Sequence, residues 1–206
     1  KEPSFFENSN HFEFLRKAEV KNILMSYMFF KEPKKVLEAI NLIKPQNLII
    51  DSGAFSVWAN GQTVDLEQYA KFCHNLKEVF PKEINLYIVN LDVLPGRFGI
   101  RPTEQQREES AQQGWENMLR LEKEGLKVIH VFHQHESFEW LDKMMKHSDY
   151  IGVSPANDVS MKEKLNWLNQ VFSITKDKIK THGFAVTSHN QLYRYPFYSV
   201  DSSSWT

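Results

Sequence analysis

Four short apolar runs in this chain each end in a carboxylate or an amide: NLIIDSG at Asp51, NLYIVNLD at Asp92, KVIHVFHQ at Gln134 and YSVD at Asp201. Amphipathic helical patterns separate them, and that alternation leaves few folds open. Strands joined by crossover helices lie parallel, so their C-terminal ends gather along one edge. Three acids and an amide on such an edge make a polar pocket that stability alone does not require. The pattern points to an enzyme.

Periodicity predicts strands over residues 22–26, 47–51, 84–92, 127–133, 150–153, 179–186 and 198–201. Helical patterns fill the intervals, at residues 35–43 and 65–80 among others. Thr103 with Gln106 and Ser160 with Glu163 form capping-box pairs that open two of the helices, and Gly125 stops the first of these. Ser137 caps another helix, and a short one follows Ser188. Seven βα units predict an α/β fold, a (β/α)8 TIM-type barrel that is one unit short and so incomplete. Active groups after the second, third, fourth and seventh strands suit a closed ring better than the single crevice of a doubly wound sheet. The first barrel strand is expected from the N-terminal segment or from sequence outside this chain. No repeat or linker divides the 206 residues, which predicts one domain over 1–206.

The formal net charge of −1 excludes a globally basic surface, so any nucleic-acid contact has to come from local patches. Arg97, Arg101 and Arg107 after the third strand form one such patch, placed to meet a phosphate backbone. Cys73 is the single cysteine, which excludes an intrachain disulfide and a cysteine-rich zinc site. Its apolar neighbours predict a buried helix residue. No run has the apolar length of a membrane span, and the opening KEPSFFENS is not a signal peptide. A cytoplasmic location is expected, with no membrane partner.

Asp51-Ser52-Gly53-Ala54-Phe55-Ser56 is the sharpest local motif. An acid ends the strand, Gly53 permits a tight backbone approach, and Phe55 offers a flat apolar face. Asp92 stands before a turn, and Asp201 before three serines able to hydrogen-bond it. Carboxylates at several strand ends suit glycosidic-bond chemistry, with one as nucleophile and another moving the proton of the departing group. Gln134 both donates and accepts, which fits the edge of a purine-like base. Gly152 is expected to leave its backbone N–H open to the same ligand. His133 and His135 share one face of an extended chain, and with His182 and Asp201 they give an alternative, a metal-dependent hydrolase. A second alternative is a catalytically silent barrel that binds a purine or a nucleic acid.

The series DSGAFS, NLD at Asp92, FHQ at Gln134, YIGVS at Gly152, and HGFAVTS followed by YSVDSSSW at Asp201 resembles the tRNA-guanine transglycosylase superfamily. It is most similar to the phage and bacterial relatives that insert 7-deazaguanine bases into DNA. The resemblance implies exchange of guanine for a 7-deazaguanine in nucleic acid, DNA in preference to tRNA. It also implies a queuosine-like modification enzyme, in the host cytoplasm if phage-encoded. On that resemblance Asp201 is the nucleophile at C1′ and Asp51 the general acid/base. Asp92, Gln134, Gly152, Phe55, Ser52 and Gly53 then bind the substrate, with Phe55 stacking on a flipped-out base. Ala54 and Ser56 depart from the family's DSGGFQ. The family's zinc cysteines have no counterpart here, so no metal and no cofactor are expected. A homo-oligomer or a partner protein is compatible with the sequence.

Overall fold

The computed structural model describes residues 9–186 and 188–202. It opens on helix α1 (Ser9–Lys17) and then alternates. In order come β1 (Asn22–Ser26), α2 (Pro33–Ile43), β2 (Asn47–Asp51), α3 (Ala54–Ala59), α4 (Leu66–Val79) and β3 (Asn85–Val89). These are followed by α5 (Glu104–Lys123), β4 (Val128–Ile129), β5 (Val131–His133), α6 (Phe138–His147) and β6 (Tyr150–Ser154). The series ends with α7 (Met161–Thr175), β7 (Lys180–Gly183), α8 (His189–Arg194) and β8 (Ser199–Val200). One sheet has the order β1-β2-β3-β4 and the other β5-β6-β7-β8. Strands β1 to β3 pair in parallel, as do β5 to β8. The class is α/β, and the succession of parallel strands and helices follows the order of an incomplete (β/α)8 barrel.

Two compact units divide the chain. The first takes in the chain up to Leu91 together with Asn117–Val128, and the second Asp92–Glu116 with the chain from Ile129 on. In the first, Leu48 and Ile50 of β2 and Leu76 of α4 are fully buried, as is Tyr69, whose hydroxyl donates to the Val89 carbonyl at 2.6 Å. Cys73 is buried beside them, and burial pushes its thiol up to about 12, which leaves it an inert core residue. In the second unit, Phe132 of β5, Ile151 and Val153 of β6, Leu141 of α6 and Leu168 and Val171 of α7 make the core. Each such aliphatic or aromatic side chain contributes about 1.5–3 kcal/mol by leaving water.

The expected caps are present. Thr103 Oγ1 accepts the Gln106 N–H at 3.2 Å, and Gln106 Oε1 accepts the Thr103 N–H at 3.0 Å. Ser160 and Glu163 make the same reciprocal pair at the start of α7. Gly125, at φ 86°, turns the chain out of the helical path after α5.

Most boundaries differ from the sequence reading by a residue or two, and four differences change where a group sits. The DSGAFS segment is not all loop, because α3 begins at Ala54. β3 ends at Val89, which puts Asp92 three residues beyond it rather than on its last residue. The fourth run is two strands, interrupted at the buried His130. The sixth stops at Gly183, since Ala185 takes a positive φ of 52° that no strand continues through.

Gly53 explains the tight turn into α3. Its φ is 76°, and a Cβ there would stand 2.3 Å from Met28 Cγ and 2.8 Å from Ser26 Oγ. Gly53→Ala is therefore expected to destabilise the protein by about 2–3 kcal/mol, from left-handed strain and overpacking together. Urea denaturation checks this, and an unchanged midpoint would show that the turn relaxes without loss.

Candidate active site

The C-terminal edge of the second sheet carries a set of polar side chains. Backbone bonds extend the parallel ladder past the strands: the Gln134 N–H donates to the Ser154 carbonyl at 3.1 Å, Phe184 to Val153 at 3.0 Å, and Asp201 to Gly183 at 3.2 Å. The chain after β5, β7 and β8 is thus held in place where chemistry would need it. Two carboxylate–histidine groups sit on this edge.

The first is built on Asp92 and His133. Asp92 Oδ2 accepts from His133 Nε2 at 2.8 Å, while Nδ1 of the same ring donates to Glu136 Oε1 at 3.1 Å. Glu136 Oε2 also accepts the His133 backbone N–H at 3.1 Å. All three side chains are at least 87% shielded from solvent, with exposures of 13% for His133, 13% for Asp92 and 8% for Glu136. Burial works against a charged imidazole, but the hydrogen bonds and charges of Asp92 and Glu136 outweigh it and lift His133 to about 10. Burial likewise pushes the Asp92 carboxyl up, and the hydrogen bond and charge of His133 overcome that and hold it below the usual carboxylate range. The group is an imidazolium clamped between two carboxylates. The neighbouring His130 is driven the other way: burial first, then the His133 charge, lower it to about 3, so it stays neutral.

The second group is built on Asp201, whose side chain is 26% exposed. Its Oδ1 accepts the Ala185 N–H at 3.1 Å, a bond made possible by the positive-φ turn at Ala185. His182 Nε2 lies 3.3 Å from the same oxygen, close enough for an ion pair but out of hydrogen-bond alignment. His182 is itself 1% exposed and held from behind, with Nδ1 2.7 Å from Ser199 Oγ, which in turn lies 2.6 Å from the Tyr150 hydroxyl. The ring edge of Phe184 closes the other side at 4.5 Å between centroids. The buried imidazole is thus fixed in orientation behind a partly open carboxylate. Ser203 and Ser204, expected as partners of Asp201, lie outside the described residues.

The remaining expected residues are placed as follows. Gln134 Oε1 accepts the Ala156 N–H at 2.9 Å, so the loop after β6 holds the amide's acceptor side. Gly152 does not present a free amide, which corrects the expectation: its N–H donates to the His130 carbonyl at 2.8 Å within the sheet. What the glycine provides is space, since a Cβ would stand 2.5 Å from Phe184 Cε2 and 3.1 Å from Val131 Cγ2. Asp51, Ser52, Gly53 and Phe55 belong to the first unit. Asp51 ends β2 and accepts the Gly53 N–H on Oδ2 at 2.9 Å. Ser52 is fully buried, and Phe55 is 44% exposed beside Trp58.

The two histidines face carboxylates. Both ring nitrogens of His133 face carboxylates, and His135 Nε2 lies 3.5 Å from Asp158. Among the described residues no three His, Cys, Asp or Glu side chains are gathered so as to hold a metal ion. Sequence reasoning missed Glu136 and the Tyr150–Ser199–His182 chain. The signal for Glu136 was its three-residue spacing from His133 in a turn. Tyr150 and Ser199 carried none, because each is an ordinary strand residue until the register pairs His182 with Ser199.

No helix among the described residues is long and apolar enough to cross a membrane. No family model matches the sequence, and no curated protein does. Among solved structures the chain is similar to the putative copper homeostasis protein CutC from Streptococcus agalactiae, at 11% identity and a TM-score of 0.44, over 91% of this chain and 99% of that one. The kinship with the tRNA-guanine transglycosylase superfamily expected from the motifs is corrected by these findings: the structural likeness found is to a CutC protein, and no family model supports the motif series.

Proposed function

We propose that the chain is a pentosyltransferase that exchanges a purine base in nucleic acid through a covalent aspartyl intermediate. The observation that carries this reading is Asp201. It is a partly open carboxylate, oriented by the Ala185 N–H and backed by a buried, immobilised imidazole. A carboxylate that must attack a sugar carbon needs to be accessible, ionised and aimed, and this one has an anchor on one oxygen that leaves the other side to a substrate.

The chemistry balances without an outside reagent. An oxygen of Asp201 forms a bond to C1′ as the bond from C1′ to the base nitrogen breaks. The departing base keeps the bonding pair and takes up a proton from water. The incoming base then gives its ring N–H proton to the hydroxide so formed and attacks C1′ as the C1′–oxygen bond to Asp201 breaks, which returns the carboxylate. Asp92, held ionised by His133, is suited to accept the N–H donors of a guanine-type edge, and the Gln134 amide, its acceptor side held by the Ala156 N–H, adds a donor. Guanine replaced by a 7-deazaguanine, with DNA as the polymer and the cytoplasm as the setting, is the form of the reaction we favour.

A base-exchange assay tests it. The protein is incubated with radiolabelled guanine and, in parallel, with duplex DNA, single-stranded DNA and bulk tRNA, and label in the polymer is counted. Label in DNA is expected. Label in tRNA alone would keep the mechanism and change the polymer, and label in none of the three would sink the reading.

A further inference from the structure

The exchange chemistry gives no role to the buried imidazole behind Asp201. Register sets its place: β7 lies between β6 and β8, with His182 beside Gly152 on one side and Ser199 on the other. Gly152 leaves room for Phe184, whose ring edge rests against the imidazole at 4.5 Å between centroids. Nδ1 meets Ser199 Oγ at 2.7 Å, and that oxygen meets the Tyr150 hydroxyl at 2.6 Å. Nε2 makes no hydrogen bond among the described residues and lies 3.3 Å from Asp201 Oδ1. A buried nitrogen left short of a hydrogen bond costs stability, and an apolar residue on β7 would avoid that cost.

Geometry decides which nitrogen carries the hydrogen. Were Nε2 bare, its lone pair would face a carboxylate oxygen at 3.3 Å, two acceptors with nothing between them. Hydrogen on Nε2 makes the contact attractive. Nδ1 of the neutral ring then accepts the single Ser199 proton, and Ser199 Oγ accepts from the phenol, the more acidic of the two hydroxyls. In the imidazolium the Nδ1 bond runs the other way, and Nε2 carries hydrogen all the same.

We propose that the chain Tyr150–Ser199–His182 delivers the His182 Nε2–H to Asp201 Oδ1, and that His182 is a positioning residue for the second half of the exchange, when Asp201 leaves the sugar. This rests on the reading of Asp201 as the nucleophile. With Oδ1 facing the Ala185 N–H and His182, Oδ2 is the oxygen that bonds to C1′. As the incoming base attacks, the bond from C1′ to Oδ2 breaks and its electron pair returns to the carboxylate. The charge spreads onto Oδ1, where the Nε2–H meets it, and His182 keeps its hydrogen throughout. An ester carbonyl in the same place accepts a weaker bond than a carboxylate does. The donor therefore favours the free carboxylate over the covalent ester and keeps the intermediate from accumulating. Contacts of this kind are often long in a free enzyme and tighten with substrate, which suits a resting distance of 3.3 Å.

Two measurements on the full chain test this. Long-range proton–nitrogen correlation spectra, with His182 assigned by its loss in His182→Gln, are read without nucleic acid. Nε2 is expected to bear the hydrogen, and that proton is expected to move upfield in Asp201→Asn, whose amide oxygen is a weaker acceptor. A bare Nε2, or a proton that Asp201→Asn leaves unmoved, would overturn the proposal. Denaturing gels of reactions quenched in the steady state then measure the fraction of protein bound to DNA. His182→Leu is expected to raise that fraction about tenfold, the difference between a charge-assisted and a neutral hydrogen bond. His182→Gln keeps an N–H near the same place and is expected to stay within about threefold of wild type. An unchanged fraction in a His182→Leu protein that circular dichroism shows to be folded would also overturn the proposal. A wild type with hydrogen on Nε2 that neither labels DNA nor forms an adduct would sink the exchange reading and leave the chain from Tyr150 to Asp201 standing.

Discussion

Asp201→Asn is expected to lower base exchange by about 10⁴-fold or more, the scale of loss when a nucleophile is removed. The substitution keeps the shape of the side chain. Asn Oδ1 still accepts the Ala185 N–H at 3.1 Å, so the local turn survives. What disappears is the charge. A neutral amide cannot form the bond to C1′ that holds the sugar while one base leaves and another enters. Denaturing gel electrophoresis after a single-turnover reaction should show a protein–polymer adduct for wild type and none for the variant, while anisotropy shows polymer binding within about threefold of wild type. Exchange at the wild-type rate by Asp201→Asn would end the assignment. An adduct that persists in the variant would move the nucleophile to another residue.

The fold was more legible than the site, for a physical reason. Apolar period and caps are local, and the α/β order, the Thr103–Gln106 and Ser160–Glu163 pairs and the buried Cys73 all follow from neighbours within a few residues. Boundaries failed where a single residue's backbone overrode the apolar run. Val186 is buried and apolar like a strand residue, yet the turn at Ala185 has already ended β7. Site roles depend on register, which the sequence does not state. Gly152 looks like an open amide until the His130 carbonyl takes its N–H. His133 looks like half of a metal site until Asp92, forty-one residues earlier, and Glu136 close on both nitrogens. The short motif series was the least reliable signal. Asp-Ser-Gly and Leu-Asp recur wherever a strand ends in a turn, and here Gly53 and Gly152 have close-packing reasons of their own.

His133→Leu should give the largest loss of stability of any single change at the second sheet's edge, about 3–5 kcal/mol, because it strands two buried carboxylates that now repel each other. In a protein of 206 residues that corresponds to a fall in Tm of roughly 10 °C. The pH dependence distinguishes this from simple cavity formation. His133 is raised in the fold to about 10, above its ordinary 6.5, so its contribution is complete below 6.5, shrinks as pH rises, and is gone above 10. Asp92 is depressed, so its contribution is present above the ordinary carboxylate range and is lost only as pH falls through its lower folded value. His130 opposes both in acid: folded and neutral down to about 3, it costs stability below 6.5, where the unfolded chain takes up the proton. Wild-type stability should therefore peak near neutrality. Between pH 7 and 9 the gap between wild type and His133→Leu should narrow steadily, because ionisation of Cys73 and Tyr27 in the unfolded chain is common to both proteins and cancels in the difference. Urea denaturation across that range measures it. A gap constant with pH would mean that His133 is held neutral and that the clamp is a pair of ordinary hydrogen bonds. A narrowing gap would establish the buried cation that keeps Asp92 ionised, and with it the acceptor that the proposed substrate edge requires.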